Sequence, residues 1–277
     1  MGSTKTQRLM AVLAHPDDES LGMGGTLAKY ATEGVDVFLL TATRGEAGRF
    51  RGHASDDERH PGRTALAEIR EAELRAAASQ LGLHDVFVLN YPDLQLDRTN
   101  PREIESRIAA HLRRVRPDVV VTFGPDGAYG HPDHVAISQF TTAAVVVAAD
   151  AGFVCASDPT APPHSVTKLY YLAWPESTWA AYEAAIRKLS VTVDNVERHA
   201  PPWPDWAITT AIDTRDMWAK VWRAISCHES QVSTYERLKE LSPEHHRALW
   251  GHQSFYRVLS TVNGGRAREE DLFEGIE

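Results

Sequence analysis

An apolar run that stops abruptly at an acidic turn occurs twice in this chain, as AVLAHPDDESLGMGG at 11–25 and VVVTFGPDGAYGHPDH at 119–134. The first run ends in His15, Asp17, Asp18 and Glu19, where three adjacent carboxylates repel one another and Pro16 bars a helix through His15. A lone His-Pro-Asp is ordinarily a turn, with proline presetting φ and the acid capping the helix that follows. Two such turns, each just past a strand, are harder to explain that way. They point to something positive among the acids.

Short β-branched runs alternate with amphipathic segments through the first half. RLMAVLA (8–14), VDVFLLTA (35–42), DVFVLNY (85–91) and DVVVTFG (118–124) read as strands. Residues 24–34, 64–82 and 100–117 read as helices, with Gly34 and Gly82 as stops and Pro101 in a first turn; a fourth helix runs from about His134 through Ala149. The alternation predicts an α/β fold: a Rossmann-like, mostly parallel sheet with helices on both faces. Ligands of such sheets bind at the carboxyl ends of the strands, where both histidine motifs fall.

The second half is less regular. KLYYLAW (168–174), VTVDN (191–195) and AITTAID (207–213) read as strands, 158–165 as a loop, and 214–231 as a helix carrying Trp218 and Trp222 at core spacing. No repeat, low-complexity tract or linker interrupts the chain. One domain over 1–277 is expected, with a core at about 8–150 and a C-terminal α+β elaboration at about 165–260.

With 43% apolar and 24% charged residues the composition is that of an ordinary globular protein, and a formal charge of −9 argues against nucleic acid as a partner. A small molecule is the expected partner, and a homo-oligomer is compatible. Cys155 and Cys227 fit a reducing cytosol or at most one bridge. The start, MGSTKTQRLM, has no apolar h-region, and the longest apolar stretch, FTTAAVVVAADAGFV, is too short to span a bilayer, so a cytoplasmic location is expected.

A divalent metal would resolve the acidic turn. His15 and Asp18, three apart, can converge on one ion, while Asp17 between them points elsewhere and stays available as a base. The second stretch adds His131, Asp133 and His134. A His/Asp/His set with an open fourth position suits catalytic Zn2+, and Fe2+ or Co2+ could replace it.

The stretches AHPDDE…LGMGGTLA, TRGEAG, EIREAELRAAASQLG, YPDLQL and GAYGHPDH resemble, in order, the LmbE-like (PIG-L) family of zinc-dependent N-deacetylases, and AISCHESQ (224–231) resembles a later family motif. The resemblance implies His15, Asp18 and His134 as metal ligands and Asp17 as general base. It further implies His131 as a stabiliser of the oxyanion, oriented and charged by Asp133, and Tyr129 as a mobile group near the reacting carbonyl. Arg70 and Asp93 match positions that contact the sugar. The implied reaction is hydrolysis of the acetyl group from an N-acetylglucosamine-type amino sugar or its conjugate.

Other residues are less committed. Glu46 either lines the pocket or pairs with an arginine, and His228 either approaches the substrate or makes a structural hydrogen bond. His53 and His60 sit in a polar stretch that reads as a surface loop or pocket lid. Trp203, Trp206, Trp218 and Trp222 read as core before sugar platform. The glycines of GMGG lack phosphate-loop spacing and read as a close approach of the chain to the metal site. Rival functions are an amidase cleaving a larger acyl group from a glucosaminyl conjugate, a metal phosphoesterase, and a non-catalytic zinc- or sugar-binding protein. Retention of Asp17 and His131 argues against the last.

Overall fold

The structure, a computed structural model, describes residues 6–186, 190–193, 195–231, 236–265 and 267–277. In chain order its elements are β1 (Arg8–Leu13), α1 (Asp18–Leu21), α2 (Gly24–Thr32), β2 (Asp36–Thr43), α3 (Arg63–Leu81), β3 (Asp85–Tyr91), α4 (Pro101–Val115), β4 (Val119–Phe123) and α5 (Gly127–Gly130). Then follow α6 (Pro132–Ala149), β5 (Lys168–Leu172), α7 (Glu176–Ile186), β6 (Val191–Val193), β7 (Val196–Arg198), β8 (Thr210–Asp213), α8 (Trp218–Cys227), α9 (Pro243–Trp250) and β9 (His252–Ser260).

Seven strands form one sheet in the order β3-β2-β1-β4-β5-β9-β8. The first five are parallel to one another, and β9 runs antiparallel between β5 and β8. Helix α4 packs on α6, while α2 and α3 pack on α8, giving a helical layer to each face. The near-continuous apolar strands β1 and β4 are buried throughout β4 and at all but the first residue of β1, as central parallel strands must be. They are neighbours, with Ala11 opposite Val121. From β1 the chain winds to β2 and β3 on one side, then returns to β4 on the other. The crevice between β1 and β4 is therefore the topological switch point, and the two histidine motifs leave the sheet there side by side.

The helix boundaries follow from capping. The Asn100 side chain accepts the Arg102 N–H at 3.0 Å with Pro101 behind it, and Gly82 ends α3 at φ 84°. Helix α6 begins at Pro132, two residues before the expected start, because His131 caps it. The expected 214–231 helix covers only 218–227.

Among the elements not expected from sequence are α5, α7, α9, β7 and β9. Strand β9 carries Gln253 and Ser254 at buried positions, which breaks the apolar signal of a central strand. Gln253 earns that burial by accepting the Thr26 N–H at 2.6 Å and donating to the Gly22 carbonyl at 3.1 Å. The VTVDN segment, whose Asp194 lies outside the described residues, forms a hairpin with β7 apart from the main sheet.

Of the GMGG glycines, Gly22 lies against the backbone of Asp18, where a Cβ would stand 3.2 Å from its carbonyl oxygen, while Gly24 and Gly25 serve packing elsewhere. A Cβ on Gly25 would lie 2.8 Å from Thr214, and one on Gly24 would lie 3.3 Å from Val221, so these glycines let α2 pack closely against the C-terminal part of the chain. Trp218 and Trp222 flank His246, which stacks on Trp250, but Trp206 is 86% exposed and is not core. No helix among the described residues is long and apolar enough to cross a membrane.

The C-terminal residues close the β8 edge, with Ala211 N–H donating to Glu269 O and Glu269 N–H to Thr209 O. The Glu269 carboxylate accepts from Lys168 and Arg257 at 2.8 Å, Tyr170 at 2.9 Å, and Thr210 and Asn263 at 2.7 Å. Burial opposes its charge, but these donors prevail and hold its pKa down to about 2. Because the folded pKa is depressed, this stabilisation is present above the unfolded glutamate value of about 4.3 and is lost as pH falls towards 2. Glu269→Ala, which leaves Lys168 buried without its counter-charge, is expected to cost about 3–5 kcal/mol in denaturant unfolding near neutral pH, a difference that narrows in acid.

Candidate active site

Three donors meet at the switch point. His15 Nδ1 lies 3.2 Å from His134 Nε2 and 3.6 Å from Asp18 Oδ2, and His134 Nε2 lies 3.2 Å from Asp18 Oδ1. Metal bonds of about 2.0–2.2 Å at tetrahedral angles separate donor atoms by about 3.3–3.6 Å, so the spacing fits one small divalent cation. The outer nitrogens are engaged in the manner of metal-binding imidazoles. His134 Nδ1 faces the Gly127 carbonyl at 3.2 Å, and its ring stacks on Phe123 at 3.9 Å. His15 Nε2 faces Asp93 at 3.1 Å and Asp133 at 3.2 Å.

The field at this point favours a cation. Burial would strip His15 of charge, but Asp93, Asp133 and Asp18 hold its pKa well above the usual histidine value. Burial likewise opposes ionisation of Asp18, yet His134 and His15 hold its carboxyl well below the usual range. Asp93 is depressed in the same way, chiefly by His15 and then Arg70, against its burial.

Asp17 stands beside this donor set in the left-handed region, at φ 99°. Its Oδ2 lies 3.2 Å from Arg70 Nη2, which also donates to the Pro16 carbonyl at 2.5 Å. Arg70 Nη1 donates to the Gly45 carbonyl at 2.7 Å, and the arginine is 5% exposed. The helix thus turns Arg70 towards the strand ends, as a pocket role requires, but its bonds there go to Asp17 and to the Pro16 and Gly45 carbonyls.

Two expectations about the second motif are corrected. The Asp133 carboxylate does not reach His131: it accepts the Leu94 and Leu96 N–H groups at 2.7 and 3.1 Å and faces His15. His131 instead caps α6, its Nδ1 accepting the Asp133 backbone N–H at 3.2 Å. Its pKa is not raised but pushed down to about 2, by burial first and then by the charges of His15 and His134. The ring is a neutral imidazole carrying its proton on Nε2. Tyr129 sits with its ring 5.3 Å from that of His134 and 6.1 Å from that of His131, and burial, then Asp18, raises its hydroxyl pKa.

The remaining expected substrate contacts bond within the protein. Asp93 Oδ2 accepts the Ala47 N–H at 2.9 Å while Glu46 Oε1 accepts the Asp93 N–H at 2.9 Å, a reciprocal clasp between two loops. His228 is fully buried, with Nε2 2.8 Å from Glu19 Oε1. Glu19, the third acid of the turn, had no role assigned from sequence; its place directly after Asp17 and Asp18 was the available signal. His53 faces Asp57, and His60 faces the Gly48 carbonyl, so both remain loop residues.

A family model described as PIG-L, GlcNAc-PI de-N-acetylase, matches residues 10–145. The 1D-myo-inositol 2-acetamido-2-deoxy-alpha-D-glucopyranoside deacetylase of Kineococcus radiotolerans is 36% identical over 98% of this chain and 83% of its own length. The protein of the same name from Rhodococcus erythropolis is 35% identical over 99% of both chains. Among solved structures, the N,N'-diacetylchitobiose deacetylase of Pyrococcus horikoshii shares the fold, with a TM-score of 0.67 at 21% identity over 92% of this chain and 84% of its own.

The contact between Gly45 and Arg70 gives a direct test of how the guanidinium is packed beside Asp17. A Cβ on Gly45, at φ 66°, would lie 2.1 Å from Arg70 Nη1. Gly45→Ala is expected to lower stability by about 1–3 kcal/mol through backbone strain and displacement of the guanidinium. Denaturant unfolding measures it, and a cost near zero would contradict this packing.

Proposed function

The chain belongs to the PIG-L (LmbE-like) family of N-deacetylases, and from that premise we propose that it uses one divalent metal ion to hydrolyse the acetamide of an N-acetylglucosaminyl conjugate, with inositol as the preferred aglycone. The chain is an amide hydrolase acting on an N-acetylated amino sugar. The inositol aglycone is carried from its relatives' names. The observation that carries the mechanism is the donor triangle of His15, Asp18 and His134 with the Asp17 carboxylate held beside it.

His15, Asp18 and His134 would hold the ion, and a His₂-carboxylate set with a free position makes zinc the first choice, with Fe2+ and Co2+ as substitutes. When bound, the ion polarises the acetamide carbonyl and acidifies water. Asp17 takes the proton from the attacking water, and the Arg70 guanidinium, 3.2 Å from its carboxylate, orients it. The Nε2–H of His131 donates to the oxygen on which negative charge develops. Expulsion of the amine needs a proton on the nitrogen as the C–N bond breaks. His131 holds none beyond its Nε2–H, so the proton taken by Asp17 is the one returned. Tyr129 closes the site beside the two histidines. The two unpaired cysteines support a reducing, cytoplasmic setting.

Release of acetate and free amine from N-acetylglucosaminyl inositol, abolished by a chelator and restored by zinc, tests the reading. Release of a larger acid from an acylated glucosaminyl conjugate, with no acetate from the acetyl one, would make it the larger-acyl amidase. His15→Ala and His134→Ala are expected to lose the metal. Asp17→Asn should keep it while turnover falls roughly a hundredfold or more. Metal loss in Asp17→Asn would mean that the two aspartates are exchanged.

The pH profile separates the two possible forms of His131. A pKa near 2 leaves the ring neutral throughout the working range, so no limb of the profile belongs to it. His131→Ala should therefore lower turnover about 100- to 1000-fold, the scale of losing an oxyanion donor, while leaving both limbs where they were. A basic limb that disappears in this variant would restore the imidazolium.

A further inference from the structure

Residues His228–Gln231 follow α8 and bond to three separate parts of the site. His228 Nε2 meets Glu19 Oε1 at 2.8 Å, and Glu19 Oε2 accepts the backbone N–H of Asp17 at 2.9 Å. The Ser230 N–H and Oγ bond the two oxygens of Glu73 at 2.7 and 2.6 Å, one turn along α3 from Arg70. Gln231 Nε2 donates to the Arg49 carbonyl at 2.7 Å, and the Arg51 N–H donates to the Ser230 carbonyl at 2.6 Å. Those last two bonds hold the loop whose Gly45 and Gly48 lie against Arg70. None of these bonds ends on His15, Asp18 or His134.

We propose that His228, acting through Glu19, is a positioning residue that fixes Asp17 for proton transfer, and that the His228–Gln231 segment is the strap that sets this geometry. The inference rests on Asp17 being the base. A left-handed aspartate is strained, and it persists only where its surroundings over-determine it. The surroundings here are specific. The Asp17 carboxylate faces Arg70, its N–H is taken by Glu19, and its carbonyl receives the Ser20 and Leu21 N–H groups at 3.0 Å.

Glu19 can stay fully buried beside Asp17 because His228 supplies a donor to it, and Ser20 Oγ donates to it as well, at 2.5 Å. Without His228 the carboxylate is short of its strongest partner and turns towards other donors, releasing the Asp17 N–H. The metal donors hold their places, since they are fixed by Gly127, Asp93 and Asp133. A loss confined to the base should therefore appear in kcat, with KM and metal content unchanged.

The test is a double-mutant cycle on the metal-loaded enzyme. His228→Leu is expected to lower kcat roughly tenfold or more with KM and metal stoichiometry unchanged. His228→Gln, whose amide nitrogen reaches the place of Nε2, should recover most of that loss. In the Asp17→Asn background the leucine substitution should cost less than about twofold, because no base remains to be positioned. A full, additive loss in that background overturns the strap alone, as does a raised KM with unchanged kcat, which would make His228 a substrate contact. Full turnover in Asp17→Asn by itself overturns the base assignment and the strap with it. If the leucine variant does not fold, His228→Gln and His228→Asn carry the same comparison. Higher kcat for glutamine, whose donor reaches Glu19, supports the strap, and equal values overturn it.

Discussion

The structure at the strand ends depends on how a group of buried carboxylates is neutralised. Asp18, Asp93, Asp133 and Glu19 are each at most 8% exposed and lie within one corner of the sheet. Keeping an ionised carboxylate out of water costs several kcal/mol unless partners replace its hydration. Each acid meets that demand differently. Asp133 takes two backbone N–H groups, Asp93 takes Ala47 N–H and His15, Glu19 takes His228, and the partly buried Asp17 takes Arg70. Asp18 keeps the His15 N–H and two imidazoles, whose inward nitrogens face each other at 3.2 Å. That triangle is where the proposed divalent cation would complete the neutralisation.

The same bonds hold the backbone in conformations it would otherwise leave. Asp17, Leu94 and Ala128 have φ of 99°, 63° and 63°, and each follows the end of a parallel strand. Leu94 is fixed because its N–H reaches Asp133, and the turn around Ala128 presents the Gly127 carbonyl to His134. Strain of this kind is sustained by neighbouring contacts and prepositions groups before substrate arrives. The rigid part is the sheet, and the precision comes from polar bonds between loops.

How much of this could be read from the sequence follows from the range of each interaction. Strands β1 and β4 announce themselves as apolar runs, and a His-Pro-Asp past the end of each places the donors at the carboxyl ends of the sheet, whereas the adjacency of the two strands needs the fold. The partners that surround Asp17 are different. His228 and Glu19 are 209 residues apart, and nothing in one sequence pairs them. Arg70 can be placed on its helix but not towards Asp17 rather than a ligand. Strand β9 escaped because Gln253 and Ser254 are buried polar residues, and Gln253 is satisfied only once Gly22 and Thr26 are beside it. Even proximity misled. Asp133 is two residues from His131, yet entering a helix between them sends its carboxylate to a different loop.

That helix start also decides the chemistry of His131. As the N-cap of an 18-residue helix, its Nδ1 is an acceptor for a backbone N–H, which a protonated ring could not be. The positive end of the helix dipole disfavours a cation at the same place, as do His15 and His134 beside it. All three effects act in one direction, so the ring is fixed as a single neutral tautomer with Nε2–H as its donor. A neutral donor stabilises developing negative charge without competing for the proton that must travel from water to the leaving nitrogen. In the mechanism proposed above, proton traffic then falls to Asp17, which Arg70 and Glu19 hold in an otherwise unfavourable conformation.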